Sequence, residues 1–577
     1  MKNLLYFIIP FISLYMNAQE ISVEQARMRA ADFILKTESS HNQSQIKSRY
    51  PLGLSLAYSA NEGNMPELYV FNISYGGYIV MGAQEFAEPV LAYSDEGSFD
   101  INTANPNLKY WIQFCQRQIK AAADAGIEQS SVSDEDGSAE KTDIPALLTT
   151  AWDQKYPYNE KSPMVSGKRG YTGCVATAMA QVMKYHEWPE KGIGSHYYID
   201  TFGCMQTIHS DFSSHTYDWA NMKNRYSSKD SSEVEIAAVA QLMLDVGVAV
   251  EMEYTRSGSA AYTEHCPYAL VNFFGYDKGV RHVYRDVFPE SEWEEMLYHE
   301  LDEGRPVLYG GTDDGNGHCF VCDGYDASTD MYHFNWGWTS SGYCKLNVIT
   351  TIGYTFDQDQ DMVIGIQPPV EDSKPVHALT IDLQSYLEVG AHPATEDRTT
   401  YDISFGSYYY QGMKYDGTIL NDSWEGFDAI FTLKYTNQET GEEYYAGDPL
   451  NAEINRYHFD PCYSMDYYDY DSQYFMRENL RIQDVKVPEL PDGMYHVTLV
   501  WKHYEDRNND DVSLWTEVPS HAPYRNYVEL EIGDVGINNT LRRDFTSAHT
   551  IHNLNGQRMN TLNQGINIVD GIKVLKR

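Results

Sequence analysis

The stretch Gly173-Cys174-Val175-Ala176-Thr177-Ala178-Met179-Ala180-Gln181-Val182-Met183-Lys184-Tyr185-His186 constrains the fold more than any other. Val175, Met179, Val182 and Tyr185 recur at the spacing of one buried helical face, and Thr172-Gly173 suits a loop leading into that helix. Cys174 is therefore expected in the first turn. Amide hydrogens and the dipole at a helix start favour an anion, and the thiolate is the nucleophilic form of cysteine. The same amides suit an oxyanion. A small hydrophobe packed at a helix start explains the segment equally well, so the assignment turns on a partner base.

At 577 residues the chain exceeds one core and suggests roughly three to five folding units. Its formal net charge of -41 argues against nucleic-acid and anionic-membrane partners, which need a basic footprint. The 47 tyrosines and 41 glycines point to a strand-rich extracellular protein, and eight scattered cysteines are too few for a disulfide scaffold. Lys2, the apolar run Leu4 to Met16 and then Asn17-Ala18-Gln19-Glu20 form a signal-peptide pattern over 1–18, with cleavage expected after Ala18. The run is too short to span a membrane, which takes about 20 apolar residues. No second such run follows, so the mature protein is expected to be exported and soluble.

Residues 19–141 read as a small α/β unit. Helices are expected over Val23 to Leu35 and Leu108 to Ile119, strands over Leu68 to Ile73, Tyr78 to Met81 and Pro89 to Tyr93, with a hairpin across Gly76-Gly77. This unit holds no catalytic constellation. The acidic run Gln129 to Thr142, with Asp134, Glu135 and Asp136, reads as an exposed linker open to proteolysis.

Residues 142–368 contain Cys174 and two further informative stretches. Gly317-His318-Cys319-Phe320-Val321-Cys322-Asp323-Gly324 reads as a short strand beginning at a histidine, and Met331 to Trp338 as a strand ending in Asn335-Trp336-Gly337-Trp338. Cysteine, histidine and asparagine far apart in sequence are the parts of a thiol-protease site. Histidine takes the thiol proton, and an amide acceptor fixes the imidazole tautomer.

Asp153-Gln154, Pro157-Tyr158-Asn159, the Cys174 segment, Asp245-Val246-Gly247, Ser257-Gly258-Ser259-Ala260, the His318 segment and Asn335-Trp336-Gly337-Trp338 occur in one order. Together they resemble the streptopain family of papain-like cysteine peptidases, the C10 peptidases. The resemblance implies Cys174 as nucleophile, His318 as general base, Gln154 as side-chain donor of the oxyanion hole, and Asn335 and Trp336 as the residues that orient and shield the histidine. It implies substrate-backbone contacts at Ser259 and Gly317, and an apolar preference at the second residue before the cut bond. No metal or cofactor is implied. In the first unit, Tyr69-Val70-Phe71-Asn72, Gly76-Gly77-Tyr78-Ile79-Val80 and Pro89 to Asp95 resemble the family's inhibitory propeptide, which makes the chain's own propeptide its inhibitor and the linker around Lys141 the place of self-processing.

Two departures stand out: Cys319 replaces a small apolar residue after the histidine, and Thr339-Ser340-Ser341-Gly342 replaces the family's glycine pair after the second tryptophan. On a strand Cys319 faces away from His318, and Cys319 and Cys322 point to opposite faces, which disfavours zinc. His186 and His333 read as packing or surface histidines. Two other functions fit parts of the pattern: a papain-fold transglutaminase or amidase, and a surface-binding protein with a vestigial peptidase unit. Thiol-dependent digestion of casein separates the peptidase from both.

Residues 375–534 alternate as short strands. Tyr495, Val497, Leu499 and Trp501 share one face after the turn Pro491-Asp492-Gly493, and one or two immunoglobulin-like β-sandwich modules are expected. Glu505, Asp506, Asp510 and Asp511 read as a solvated loop rather than a calcium site. Residues 535–577, with Asn555-Gly556 and Asp570-Gly571 as hairpin turns, resemble C-terminal sorting domains of type IX secretion, which implies a secretion-machinery partner and the outer surface or exterior of a Gram-negative bacterium. The fold class is thus α+β: a papain-like peptidase with an α/β propeptide, β-sandwich modules and a short β sorting segment, acting on protein or peptide substrates.

Overall fold

The structure is a computed structural model that describes residues 20–40, 52–62, 65–124, 141–227, 231–313, 316–347, 360–381, 387–391, 400–405, 408–410, 413–415, 419–446, 449–454, 482–486, 489–520, 526–532, 551–553, 558–559, 565–569 and 572–576. The expected signal peptide and most of the acidic linker lie outside these residues. The chain divides into two compact units, one of Met1–Ala104, Trp111–Glu140 and Tyr343–Phe356, the other of Asn105–Tyr110, Lys141–Gly342 and Asp357–Arg577.

In the first unit, helix α1 (Val23–Ser40) buries Ala26, Ala30 and Ile34, and four antiparallel strands follow in sheet order β1 (Leu54–Glu62), β2 (Met65–Ile73), β3 (Tyr78–Gly82) and β4 (Val90–Ser94). Tyr343 and Cys344 extend this sheet, opposite Tyr93 and Ala92. The β2–β3 turn needs its glycines: Gly76 and Gly77 take φ of 111° and 95°, and a Cβ on Gly77 would stand 2.3 Å from the Ser94 carbonyl oxygen. Strand β1 was not expected, because its apolar residues Leu54 and Leu56 alternate with polar ones only briefly. Helix α2 (Pro106–Asp124) starts where Asn105 caps it, accepting the Leu108 amide at 2.8 Å, with Pro106 in the first helical position. Its first turn, Asn105–Tyr110, belongs to the second unit.

The second unit opens on an extended strap. Lys141 Nζ lies 5.4–5.7 Å from the ring centres of Tyr298, Tyr325 and Tyr332 and 3.5 Å from Glu294, a cation held by aromatic faces and a carboxylate. The Thr142 amide donates to the Tyr298 hydroxyl, and Ile144 pairs with Tyr325. Beyond the strap lie helices α3 (Cys174–His186), α4 (Glu233–Ala249), α5 (His265–Phe274) and α6 (Glu290–Asp302). Five antiparallel strands run in the order β8 (Met331–Gly337), β7 (Asn316–Asp326), β6 (Val307–Asp313), β9 (Gln360–Ile364), β5 (Arg281–Tyr284). Strand alternation divides the sheet's side chains. Leu308, Cys319, Val321 and Val363 join Val175, Met179, Val182, Leu242, Val246 and Leu270 from α3, α4 and α5 in one core. Tyr309, Phe320, Phe334 and Trp336 form an aromatic stack on the other face, extended by Trp293 of α6.

The match to Asp245-Val246-Gly247 marks scaffold. The Asp245 carboxylate is fully buried and accepts from Ser210, Tyr217, Gln241 and His215. A Cβ on Gly247 would collide with the Tyr254 hydroxyl, 2.1 Å away. Together these lock α4 to the surrounding loops.

Further along, β10 (Leu379–Ile381) pairs with β11 (Ile419–Asn421), while β12 (Phe427–Asn437) and β15 (Gly493–His503) form the centre of a six-stranded sheet. Its other members are β13 (Glu443–Tyr445), β14 (Leu450–Ile454), β16 (Thr516–Glu517) and β17 (Tyr527–Ile532). Tyr495, Val497, Leu499 and Trp501 all face its core, as their alternation requires. Asp511 caps a short turn by accepting the Ser513 amide. At the end of the chain β18 (Ile551–Asn553), β19 (Arg558–Met559), β20 (Gly565–Val569) and β21 (Ile572–Lys576) form a four-stranded sheet, with β18–β19 and β20–β21 paired as the hairpins require. The turn residues themselves lie outside the described residues.

Trp424 packs on the α3–α5 core and donates its indole N–H to the Lys278 carbonyl at 2.9 Å. Asp277 accepts from the Val370 amide and the Ser373 hydroxyl. The segment carrying the β module is thus bonded to the helical part of the same unit.

Candidate active site

Helix α3 begins at Cys174, where the sequence pattern puts it. Gly173 reaches φ 88°, and a Cβ there would meet Met252 Sδ at 2.4 Å. Val175, Met179 and Val182 are buried; Tyr185 is 36% exposed, because the last turn runs past the core. The thiol of Cys174 is half-buried and contacts the backbone of β7, with Sγ 4.0 Å from the Gly317 carbonyl oxygen. Burial pushes the thiol up from its ordinary pKa, while the Cys319, Val175 and Cys174 amides pull it down. The net direction is up. The expectation that a helix start favours the thiolate is overridden here by loss of water around the sulfur.

Cys174 lines a closed-down cleft with Asn107, Gln154, Gln181, Cys319 and Trp336. Gln154 is buried; its amide bonds the Asp153 carboxylate and its carbonyl accepts the Thr172 amide at 3.1 Å, which ties the loop 153–155 to the segment entering α3. Cys319 faces the α3 side of the sheet, as alternation predicts, and is pushed well up by burial.

His318 lies on β7 paired opposite Gly311. Its Nδ1 donates to Asn107 Oδ1 at 3.3 Å, and its ring stacks on Tyr110 with centres 4.6 Å apart. The other end of the Asn107 carboxamide donates to the Cys319 carbonyl at 3.0 Å and the Trp336 carbonyl at 2.7 Å. One side chain from the first turn of α2 therefore bridges β7, β8 and the histidine. Sequence reasoning missed Asn107; the signal was the capping pattern Asn105-Pro106, which places Asn107 on the first turn.

Asn335 is brought to the same strand pair but bonds elsewhere. Its Oδ1 accepts from Gln181 Nε2 at 3.3 Å and the Gly337 amide at 3.0 Å, and its Nδ2 donates to the Thr150 carbonyl at 2.7 Å. Trp336 is fully buried in the aromatic stack. Gln181, two turns along α3 from Cys174, is the second residue that sequence reasoning passed over. Its Oε1 also accepts the Trp152 amide at 3.1 Å, so one buried amide links the nucleophile helix, the extended segment before Gln154 and Asn335. Gln181→Leu would orphan the Trp152 amide, a loss of about 1–3 kcal/mol. Urea unfolding of the change in a Cys174→Ala background should show it; an unchanged midpoint would remove Gln181 from this role.

Ser259 fastens its loop, donating to the Tyr171 carbonyl at 2.8 Å and accepting the Thr255 amide at 2.9 Å. Gly317 is exposed beside Cys174. Trp338 and Thr339 adopt φ of 54° and 63°, where L side chains are strained by about 1–2 kcal/mol each. The departure from a glycine pair thus begins in a stretch whose backbone favours glycine. Among the other histidines, His333 Nδ1 bonds the Asp323 carboxylate at 2.6 Å and His186 Nε2 bonds the Ile366 carbonyl at 3.1 Å.

Burial lowers the His186 pKa to about 4, with the Ile366 carbonyl acting in the opposite sense. A depressed histidine is charged in the unfolded chain first, so its contribution is complete above pH 6.5 and is lost as pH falls from 6.5 towards 4. The full loss amounts to about 3 kcal/mol. Urea midpoints at pH 7, 5 and 4 should fall less steeply for His186→Gln than for its parent, both in Cys174→Ala. Parallel slopes would contradict this.

Comparison with known proteins gives a family. Residues 152–343 match the model of the Peptidase C10 family, and residues 18–119 match that of the Spi protease inhibitor. The chain is 33% identical over 376 residues to the thiol protease/hemagglutinin PrtT of Porphyromonas gingivalis, a match covering 61% of this chain and 42% of that relative. It is 32% identical over 372 residues to streptopain of Streptococcus pyogenes, covering 60% of this chain and 91% of streptopain. A solved fragment of Prevotella intermedia prointerpain A aligns with TM-score 0.48 and 35% identity over 55% of this chain and 99% of that one. With a helix-start cysteine and a buried glutamine lining one cleft, a strand histidine in the same unit, and streptopain matched over most of its length, the chain belongs to the Peptidase C10 family of cysteine endopeptidases and carries a Spi-type inhibitor segment ahead of the peptidase.

Proposed function

We propose that the protein is a secreted endopeptidase made as a self-processing zymogen, cutting protein substrates through an acyl-thioester on Cys174. The observation that carries the zymogen reading is Asn107, which occupies His318 and sits in the cleft beside Cys174. A thiol held protonated by burial and a histidine bonded to a carboxamide describe a site at rest.

Catalysis follows once Asn107 is withdrawn. His318 takes the Cys174 proton, and the thiolate attacks the scissile carbonyl carbon. The developing oxyanion is held by the Gln154 side chain and the Cys174 amide. The imidazolium then gives its proton to the leaving amine, and water activated by the same histidine frees the acyl group. Release of Asn107 frees the His318 ring, which is held on Asn107 and Tyr110 in the resting chain, to move towards the thiol. Asn335 and Trp336 orient and shield the histidine, and Ser259 and Gly317 contact the substrate backbone. An apolar side chain is preferred at the second position before the cut.

The boundaries that accompany this reading are a signal peptide at 1–18, the propeptide to about 141, the peptidase to 368, immunoglobulin-like modules over 375–534 and a type IX sorting segment over 535–577. Export to the outer surface or exterior of a Gram-negative bacterium follows. The aromatic cage around Lys141 refines the boundary between propeptide and peptidase: the retained strap begins there, so the processing bond lies upstream of it.

Incubating chains that lack residues 1–18 with reductant, wild type beside Cys174→Ala, and following intact mass tests both points. Wild type should lose about 120 residues in the exposed linker and yield a product whose first residue is Lys141 or an earlier one. The variant should stay whole. A product beginning after Lys141 rejects the anchor, and equal cutting of both chains rejects self-processing.

A further inference from the structure

Away from the cleft, Glu264, His282 and Asp361 bring one donor atom each to within 4.8 Å of one another. The fold produces this by adjacency: His282 lies on β5, Asp361 on the neighbouring strand β9, and Glu264 directly precedes α5. His282 is 3% exposed, and its Nε2 stands 2.7 Å from Asp361 Oδ2. Thr263 donates its hydroxyl to the same carboxylate oxygen. The Tyr284 hydroxyl donates to Glu264 Oε1 at 3.1 Å.

An independent feature meets this cluster. A narrow cleft is lined by Glu264 and His282 on one side and by Asn421, Asp422 and Ser423 on the other. Its lining includes a second carboxylate and a carboxamide, and no lysine or arginine among the described residues. The second wall comes from the segment that carries the β module.

We propose that this is a divalent-cation site at the seam between the peptidase and the β module, with Glu264, His282 and Asp361 as ligands and Asp422, on the facing wall of the cleft, as a carboxylate that attracts the ion from beyond its ligand sphere. One imidazole among carboxylates is the donor set of zinc and of manganese rather than of calcium, which takes oxygen alone. Bonds of about 2.0–2.2 Å place donors around one ion at separations compatible with this cluster. Binding replaces the His282–Asp361 hydrogen bond by two metal bonds: Nε2 gives up its proton to solvent and the bound imidazole is neutral, carrying its one remaining hydrogen on Nδ1. The Thr263 hydroxyl then orients the Asp361 carboxylate, and the Tyr284 hydroxyl orients that of Glu264. Through its attraction to Asp422, the ion links the two parts of the unit.

The test uses the full chain carrying Cys174→Ala, so that the thiolate neither binds metal nor cuts. Chelator-stripped protein is titrated with zinc chloride by calorimetry, with manganese in parallel, and melted with and without each ion. The expected result is one ion per chain and a raised Tm, with Glu264→Gln and Asp422→Asn each weakening binding by at least the roughly tenfold that outer-shell changes cause. His282→Ala should abolish it. If His282→Ala does not fold, the two cleft-lining variants decide. The proposal is overturned if neither metal binds, or if Glu264→Gln and Asp422→Asn both bind as tightly as their parent.

Discussion

Replacing Cys174 by alanine is expected to lower casein hydrolysis by roughly 10⁶-fold in kcat, the scale of losing a nucleophile that works as a unit with its base. The loss must be read on processed enzyme, because an uncut variant keeps Asn107 on His318 and would be inactive for a second reason. Processing the variant in trans with tagged wild type, then removing the tag-bearing enzyme, isolates the chemical effect. His318→Ala should fall about as far, and the double variant no further, since either change alone ends the proton and acyl transfers. Activity above about one per cent of wild type in Cys174→Ala would mean that another group attacks the carbonyl.

Gln154→Ala is expected to cost about 10²–10³ in kcat with KM little changed, the signature of a donor that acts on the oxyanion more than on the ground-state carbonyl. The structure supports this size of effect: the glutamine is buried, its backbone is tied to Asp153 and Thr172, and it lines the Cys174 cleft. It is therefore a buried cleft residue on a fastened backbone rather than a surface group. Measured on the processed enzyme with a peptide substrate, a rise in KM at constant kcat would instead assign Gln154 to substrate binding.

Much of the peptidase was legible because its elements carry strong local signals. The three-to-four spacing of Val175, Met179 and Val182 located α3, and strand alternation after Pro491-Asp492-Gly493 located β15 and its buried face. The hairpin at Gly76-Gly77 follows from a backbone that only glycine takes readily. What stayed hidden depends on long-range contact. Asn107 lies more than two hundred residues from His318, and nothing in its neighbours signals that partner. Gln181 looks like one more polar residue on a helix until Trp152 and Asn335 are brought to it. The thiol's upward shift could not be foreseen either, since the helix start was visible in sequence and the burial was not. Tyr185 fits the apolar period but falls in a final turn with no core left to cover.

Trp424 and Asp277 fasten the β module to the peptidase through hydrogen bonds and core packing rather than through a flexible tether. For any protease whose attached module binds a partner, such rigid attachment changes the relevant concentration. A protein chain held by such a module within reach of Cys174 would be presented at an effective concentration set by rigid geometry, with none of the dilution that a long linker brings. Substrate choice then depends on which peptide bonds lie at one fixed distance and angle from the gripped site. Two proteins with identical cleavable sequences can differ widely in their rate of cutting solely through where they are held.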